Sequence, residues 1–188
     1  MSKFKIISLW LIIISPFLGL FFLVQLTAIG VLGDLPTFDQ LENPKNNLAT
    51  EIISEDGIVL GKYFFENRSR VRYNEIPENL INALISTEDV RFREHSGIDG
   101  RALLRAIFGA VIGKSSSGGA STISQQLAKM LFTEQPSSGI ERVMQKLKEW
   151  IIAAQLEKRY TKDEILTMYL NRFDWVNNAV GIKSAAQV

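Results

Sequence analysis

The 188 residues contain no cysteine and a single histidine, His95. Without cysteine there is no disulfide framework, no thiolate zinc site and no cysteine nucleophile. One histidine leaves little for a histidine-based metal centre or a Ser-His-Asp hydrolase. An excess of one charge is missing too. Lys and Arg total 21 against 20 Asp and Glu, a net charge of +1. Global charge therefore offers no footprint for nucleic acid, and no nucleic-acid partner is expected. No internal repeat is visible.

The largest local absence is of charge between Ile6 and Gly33, where IISLWLIIISPFLGLFFLVQLTAIGVLG carries none. About 20 apolar residues cross a bilayer core, so this run is long enough to span with tilt. Pro16 kinks such a helix without forbidding it. Lys3 and Lys5 precede the run, and Asp34 and Asp39 follow it. The positive-inside rule then puts residues 1–5 in the cytoplasm, a single-pass signal anchor at 6–33 and the remainder outside. A cleaved signal peptide has a shorter apolar core and a small-x-small site, neither of which fits here.

The length leaves room for one domain beyond the anchor. Residues 34–50 (DLPTFDQLENPKNNLAT) are polar and proline-bearing, as in a linker. EIISEDGIVLGKYFF reads as a small hairpin, with Glu55-Asp56-Gly57 at the turn and Ile58, Leu60 and Tyr63 in a β-rich flank. Linker and hairpin together occupy 34–69. From residue 70 the pattern is helical. Pro77 suits the first turn of a helix whose stripe is Leu80, Ile81, Leu84 and Ile85. Leu103, Leu104, Ile107, Phe108 and Val111 form a second stripe. A Gly/Ser-rich loop, GKSSSGGAS, separates it from TISQQLAKMLF. Residues 140–159 form a long helix with Val143, Leu147, Trp150, Ile151 and Ala154 at helical spacing. Thr161 and Glu164 make a capping box for the next helix. The fold expected is mainly α.

Two carboxylates stand out. Glu88 follows Ile81, Leu84 and Ile85 at helical offsets, which predicts a partly buried carboxylate of the kind that serves as a general base. Its neighbour Asp89 points about 100° away and stays polar. Glu149 lies on a stripe with Arg142, Lys146 and Ala153. Its plainest reading is an intrahelical pair with Lys146. Phe92 and His95 read as packing that fixes the turn after Asp89.

Gly113-Lys114-Ser115 ends like a P-loop, but the earlier glycine is misplaced, since residue 108 is Phe, and no helix follows directly. Nucleotide binding is rejected. The next helix start fits an anion site, and equally an ordinary flexible loop before a capped helix. There Ser121 or Thr122 caps the helix, Thr122-x-x-Gln125 fits a capping box, and Thr122, Gln126 and Lys129 share one side.

Four stretches in order resemble the glycosyltransferase domain of bifunctional, class A penicillin-binding proteins, the family 51 peptidoglycan glycosyltransferases. They are Glu88-Asp89-x-x-Phe92-x-x-His95-x-Gly97-x-Asp99; Gly119-Ala120-Ser121-Thr122-Ile123-Ser124-Gln125-Gln126-Leu127-Ala128-Lys129; Lys146-x-x-Glu149, leading to Leu156 through Leu166 and Tyr169-Leu170-Asn171; and Gly181-Ile182-x-x-Ala185-Ala186. The resemblance covers residues 70–188. It implies a lysozyme-like domain behind the anchor, at the bacterial inner membrane and facing away from the cytoplasm. The implied substrates are lipid II and a growing glycan strand. The implied reaction is inverting β-1,4 polymerisation with release of undecaprenyl diphosphate.

By the same resemblance Glu88 is the base on the acceptor hydroxyl, and Glu149 assists departure of the diphosphate. Lys129 and Lys146 neutralise it. Ser121, Thr122 and Gln126 contact substrate, and Asp89 supports the first motif. Phe92, His95 and Gly97 hold that motif's shape. No cofactor and no resident metal follow from it, though a divalent cation at the pyrophosphate is compatible with it. Other cell-wall synthesis proteins are the partners it suggests. The apolar 103–112 segment is expected to dip into the membrane surface.

The sequence departs from the family pattern at Gln145, where Arg is usual, at Met130, where Asn is usual, and at Trp175-Val176-Asn177. Arg142, one turn before Gln145, is a candidate to compensate. The chain stops as the fourth motif begins, so a fragment of a longer protein is expected. Two other readings compete. A lytic transglycosylase or muramidase would cleave glycan with one acid, and would act on preformed sacculi rather than lipid II. A non-catalytic membrane-anchored scaffold would be indifferent to Glu88→Gln.

Overall fold

The computed structural model describes residues 3–31, 35–36, 50–56, 59–63, 67–68, 70–113, 119–132, 136–175 and 179–187. Most of the linker, the turn residues Gly57 and Ile58, loop residues 114–118 and the pair Val176-Asn177 fall outside that set.

Helix α1 spans Lys3–Ala28 and runs through Pro16. Its stretch Trp10–Ala28 is long and apolar enough to cross a membrane. The chain continues past it to Leu35, which packs against the core of the helical region, and α1 itself lies against a later helix, α5 (Gly139–Arg159). The expected hairpin is present. Strands β1 (Thr50–Ile53) and β2 (Val59–Tyr63) pair antiparallel, with an irregularity at Ile52/Ile53.

Helices α2 (Glu78–Glu88), α3 (Gly100–Val111), α4 (Ile123–Phe132), α5, α6 (Lys162–Arg172) and the short α7 (Ile182–Gln187) build the rest. The centre is α4, which packs on both α5 and α6. Its Ile123, Leu127 and Ala128 are fully buried with Phe92, Ile152, Leu156, Ile165, Leu166 and Leu170. Helix α6 begins with the expected reciprocal cap. The Thr161 amide donates to Glu164 Oε2 at 2.7 Å, and the Glu164 amide donates to Thr161 Oγ1 at 3.3 Å.

Two features close the unit. Strand β3 (Asn67–Arg68) pairs in parallel with β4 (Ala179–Val180). The Asn171 side chain accepts from the Val71 amide at 2.8 Å and donates to the Val71 carbonyl at 2.9 Å, imitating a strand partner. Both were invisible in the sequence, because two-residue strands and a side-chain mimic leave no periodicity.

The α5 stripe differs from expectation. Val143 is exposed, and Trp150, Ile151 and Ala154 are only half-buried, whereas Glu149, Ile152, Ala153 and Leu156 are buried with Leu147. The helix is rotated so that the stripe carrying Glu149 and Ala153 faces inward. Glycine at 97 makes a close approach there possible, because a Cβ at that position would stand 2.9 Å from the Ala153 backbone. Helix α3 departs in the other direction. Its apolar side turns outward, leaving Leu104, Ile107 and Phe108 exposed.

The start of α3 sets one pH response. Asp99 caps it, accepting from the Arg101 amide at 2.9 Å and the Ala102 amide at 3.0 Å, and pairs with the Arg91 guanidinium. Burial pushes the Asp99 carboxyl up, but the Ala102 amide and Arg91 outweigh it and hold the group below the usual carboxylate range. A depressed folded value contributes stability above the unfolded pKa of about 3.9, and that contribution is lost as pH falls through the folded value. The thermal midpoint is therefore expected to fall below about pH 4. Asp99→Asn should flatten that fall while keeping a cap acceptor. Circular dichroism melts between pH 7 and pH 2 check it, and identical acid limbs in both proteins would refute it.

Candidate active site

The first motif is a turn held together from inside. Helix α2 ends at Glu88, and Asp89 follows with φ −159°, out of helical geometry. The break reverses the expected division of labour. Glu88, predicted to be partly buried, is exposed, and Asp89 is the buried one at 7 % exposure. Helical spacing could not foresee this, because the helix stops between the two residues. Asp89 accepts from His95 Nε2 at 3.0 Å and from the Ile123 amide at 3.1 Å. A carboxylate only accepts, so His95 carries its hydrogen on Nε2. Asp89 thereby joins the end of α2 to the first amide of α4, at the positive end of that helix.

Phe92 is fully buried, with its ring edge-on to His95 and the Lys162 ammonium 4.3 Å from its centroid. Lys162 Nζ also donates to the His95 carbonyl at 2.6 Å and to Glu157 at 2.7 Å. Glu157 in turn accepts from the Ser124 hydroxyl. Gly97 lies in the left-handed region at φ +90°, and its carbonyl accepts from Thr122 Oγ1 at 2.6 Å. Phe92, His95 and Gly97 thus lie together around the turn after Asp89.

Thr122 borders the smaller of the two cavities described below. It is 1 % exposed, donates to Gly97 and accepts from the Gln125 amide at 3.2 Å. It is the cap of α4, with its hydroxyl committed to protein. The capping box is one-sided, since the Gln125 side chain turns to the Gly97 carbonyl at 3.4 Å. Asp89 and Thr122 take the Ile123 and Gln125 amides at the start of α4.

The polar groups that do line open space fall into two cavities. The smaller, about 300 Å³, is bordered by Glu88, Arg91, Arg105, Ser121 and Gln126 among others. The larger, about 750 Å³, is bordered by Ser121, Gln126, Lys129, Lys146, Glu149 and Asp174 among others. Ser121 and Gln126 belong to both walls, so the cavities adjoin. Glu88 stands in one and Glu149 in the other. Glu149 is 4 % exposed and accepts from Lys146 Nζ at 2.9 Å. Lys146 Nζ also donates to Ser121 Oγ at 2.9 Å. The intrahelical pair foreseen from spacing is thus present, and it sits in the cavity wall. Lys129, on α4, is exposed on the same cavity.

Among the described residues, Asp89, His95 and Asp99 bring ligand-type atoms within 4.8 Å of one another. Arg91, the Arg101 and Ala102 amides and the Ile123 amide already satisfy those carboxylates. That cluster does not include Glu149 or the two lysines.

The family model described as Transglycosylase matches residues 56–188. The chain belongs to the transglycosylase family. Its mainly α, lysozyme-like architecture is that of this family. Penicillin-binding protein 1A of Vibrio cholerae is 34 % identical over 174 residues, covering 93 % of this chain and 20 % of that protein. Penicillin-binding protein 1A of Escherichia coli K12 is 38 % identical over 154 residues, covering 82 % and 18 %. Penicillin-binding protein 1F of Bacillus subtilis is 38 % identical over 138 residues, covering 73 % and 19 %. The chain spans about a fifth of the length of these curated relatives.

The transglycosylase match starts at Asp56, inside the hairpin, where the sequence reading began the domain at residue 70. The pairing of β3 with β4 ties residues 67–68 to the helical unit. Of the departures from family pattern, Met130 lines the larger cavity, beside Lys129. Gln145 is half-buried. Sequence reasoning missed Tyr169 as a site residue. Its hydroxyl donates to Gln126 Oε1 at 2.9 Å. The signal was its place in the Tyr169-Leu170-Asn171 motif, but a tyrosine at a core position of α6 reads as packing.

Proposed function

We propose that this chain carries a peptidoglycan glycosyltransferase domain that polymerises lipid II into β-1,4 glycan strands. The observation that carries the reading is the pair of adjoining cavities, with Glu88 in one and Glu149 with Lys146 and Lys129 in the other. Inversion in one displacement needs a base on one face of the reacting sugar and leaving-group help on the other. The acceptor 4-hydroxyl oxygen attacks C1 of the donor and gives its proton to Glu88. The C1–O bond to phosphate breaks, and undecaprenyl diphosphate departs with the electron pair. Lys129 and Lys146 neutralise the diphosphate, with Glu149 orienting Lys146 against it. Ser121 fixes Lys146 from the other side. Asp89, Phe92, His95 and Gly97 hold Glu88 in register with α4. The test is strand formation from lipid II by this chain, with Glu88→Gln and Glu149→Gln beside it. Preformed sacculi offered instead of lipid II test the glycan-cleaving alternative.

The domain works at the outer face of the inner membrane, with α1 as a single-pass anchor and its N-terminus in the cytoplasm. The outward apolar side of α3 rests on the same membrane surface, where Phe108 is 62 % exposed. Burying a phenylalanine side chain in lipid is worth about 1.5–3 kcal/mol. Phe108→Ser in a form lacking residues 1–34 is therefore expected to lower vesicle partitioning by about tenfold or more. Co-sedimentation with liposomes measures it, and unchanged partitioning would remove α3 from the membrane.

A further inference from the structure

We propose that Tyr169 is a positioning residue for Glu88, acting through the side-chain amide of Gln126. The inference rests on Glu88 being the base, as argued above, and adds a residue with no role so far.

Three helices contribute one group each. Tyr169 of α6 is 2 % exposed, with its ring stacked at a tilt on Phe173, 5.4 Å between centroids. Its hydroxyl donates to Gln126 Oε1 at 2.9 Å. From α4, Gln126 Nε2 donates to Glu88 Oε2, at the end of α2, at 2.8 Å. Among the described residues, this is the hydrogen bond that holds the Glu88 carboxylate.

The direction of the chain matters. A primary amide has an accepting end and a donating end, and a carboxylate can only accept. If Gln126 were flipped, its oxygen would face Glu88 and the two would repel. The carboxylate therefore draws Nε2 toward itself, and the Tyr169 hydroxyl meets the remaining Oε1 by donating and holds the amide at that end. Burial, and then the negative charge of Glu88, push the Tyr169 phenol up to about 12, so it keeps its proton at neutral pH. The buried, immobile ring fixes the hydroxyl, the hydroxyl fixes the amide, and the amide fixes one oxygen of an otherwise exposed carboxylate. The other oxygen, Oε1, is left to face the acceptor hydroxyl.

The experiment uses the full chain in detergent with four proteins: wild type, Tyr169→Phe, Gln126→Ala and the double variant. Loss of orientation at a reacting group is expected to lower kcat by about 10- to 100-fold in Tyr169→Phe, with KM for lipid II nearly unchanged. The double variant should match Gln126→Ala alone, because Tyr169 has nothing left to act on. Independent losses that multiply in the double variant would overturn the proposal, as would wild-type kcat in Tyr169→Phe.

A second readout needs no turnover. The Gln126 side-chain ¹⁵NH₂ hydrogens should be widely separated in the wild type. The downfield one should move in Glu88→Gln, and the pair should collapse toward free-glutamine values in Tyr169→Phe. Unchanged signals in either variant would overturn the relay. If Tyr169→Phe fails to fold, the wild-type and Glu88→Gln signals still decide. If the wild type makes no strands, the glycosyltransferase reading falls, while the amide signals continue to judge the Tyr169–Gln126–Glu88 chain.

Discussion

Glu88→Gln is expected to lower strand formation from lipid II by about 10²–10⁴-fold, the usual cost of losing a positioned general base. Folding should be almost untouched. Glu88 is exposed at the C-terminal end of α2, where a negative charge opposes the helix dipole. Surface changes of this type shift stability by roughly ±0.5 kcal/mol. The amide retains the shape of the carboxylate and a carbonyl oxygen for Gln126. The two readouts are glycan strands resolved on a gel and the thermal midpoint. More than about a tenth of wild-type activity would end the assignment of Glu88 as the base. Glu149→Gln should behave differently, losing activity and stability together. Glu149 is buried and paired with Lys146, which would be left beside a neutral amide in the cavity wall.

Gly97→Ala is the second large effect, and it is structural. A Cβ at residue 97 would stand 2.9 Å from the backbone carbon and oxygen of Ala153, atoms of a helix that cannot give way as a side-chain tip would. The left-handed φ of +90° adds its own penalty. Left-handed geometry costs a residue with a Cβ roughly 1–2 kcal/mol, and overpacking typically adds about 1–3 kcal/mol. A total of roughly 2–5 kcal/mol is a large part of the stability of most domains. For a chain of this size, that corresponds to a thermal midpoint lowered by about 4–20 °C. The loss should reach activity as well, since the Gly97 carbonyl takes the Thr122 hydroxyl and so sets the start of α4. A midpoint within 2 °C of wild type, roughly the effect of half a kcal/mol, would show that α5 and the first motif are not in close contact.

Much of this architecture was legible because its signals are local. The capping box of Thr161 and Glu164, the stripe of Ile81, Leu84 and Ile85, and the hairpin each depend on residues a few positions apart. The site was legible in its residue types but less so in their surroundings. Spacing identified Glu88 and Asp89 as a pair with separate tasks, yet assigned burial to the wrong member, because a helix end cannot be located to one residue from periodicity. Glu149 read, on spacing alone, as an intrahelical pair with Lys146. It is buried on the same helix on which Gly97 presses at Ala153, a contact between segments far apart in sequence. Thr122 read as an open cap, and only tertiary structure supplies the Gly97 carbonyl that occupies it. The Tyr169–Gln126–Glu88 chain crosses three helices and has no sequence period at all.

The clasp between the two ends of the helical unit bears on how the molecule is made. Val71 and Asn171 are bonded across 100 residues, and the short parallel pairing of β3 with β4 reaches further still. Such distant contacts carry the greatest loop-closure cost and form late. During synthesis the helices α2 to α6 precede Val180 and wait, unlatched, until it arrives. Leu104, Ile107 and Phe108, exposed even in the finished fold, gain no cover when the clasp closes.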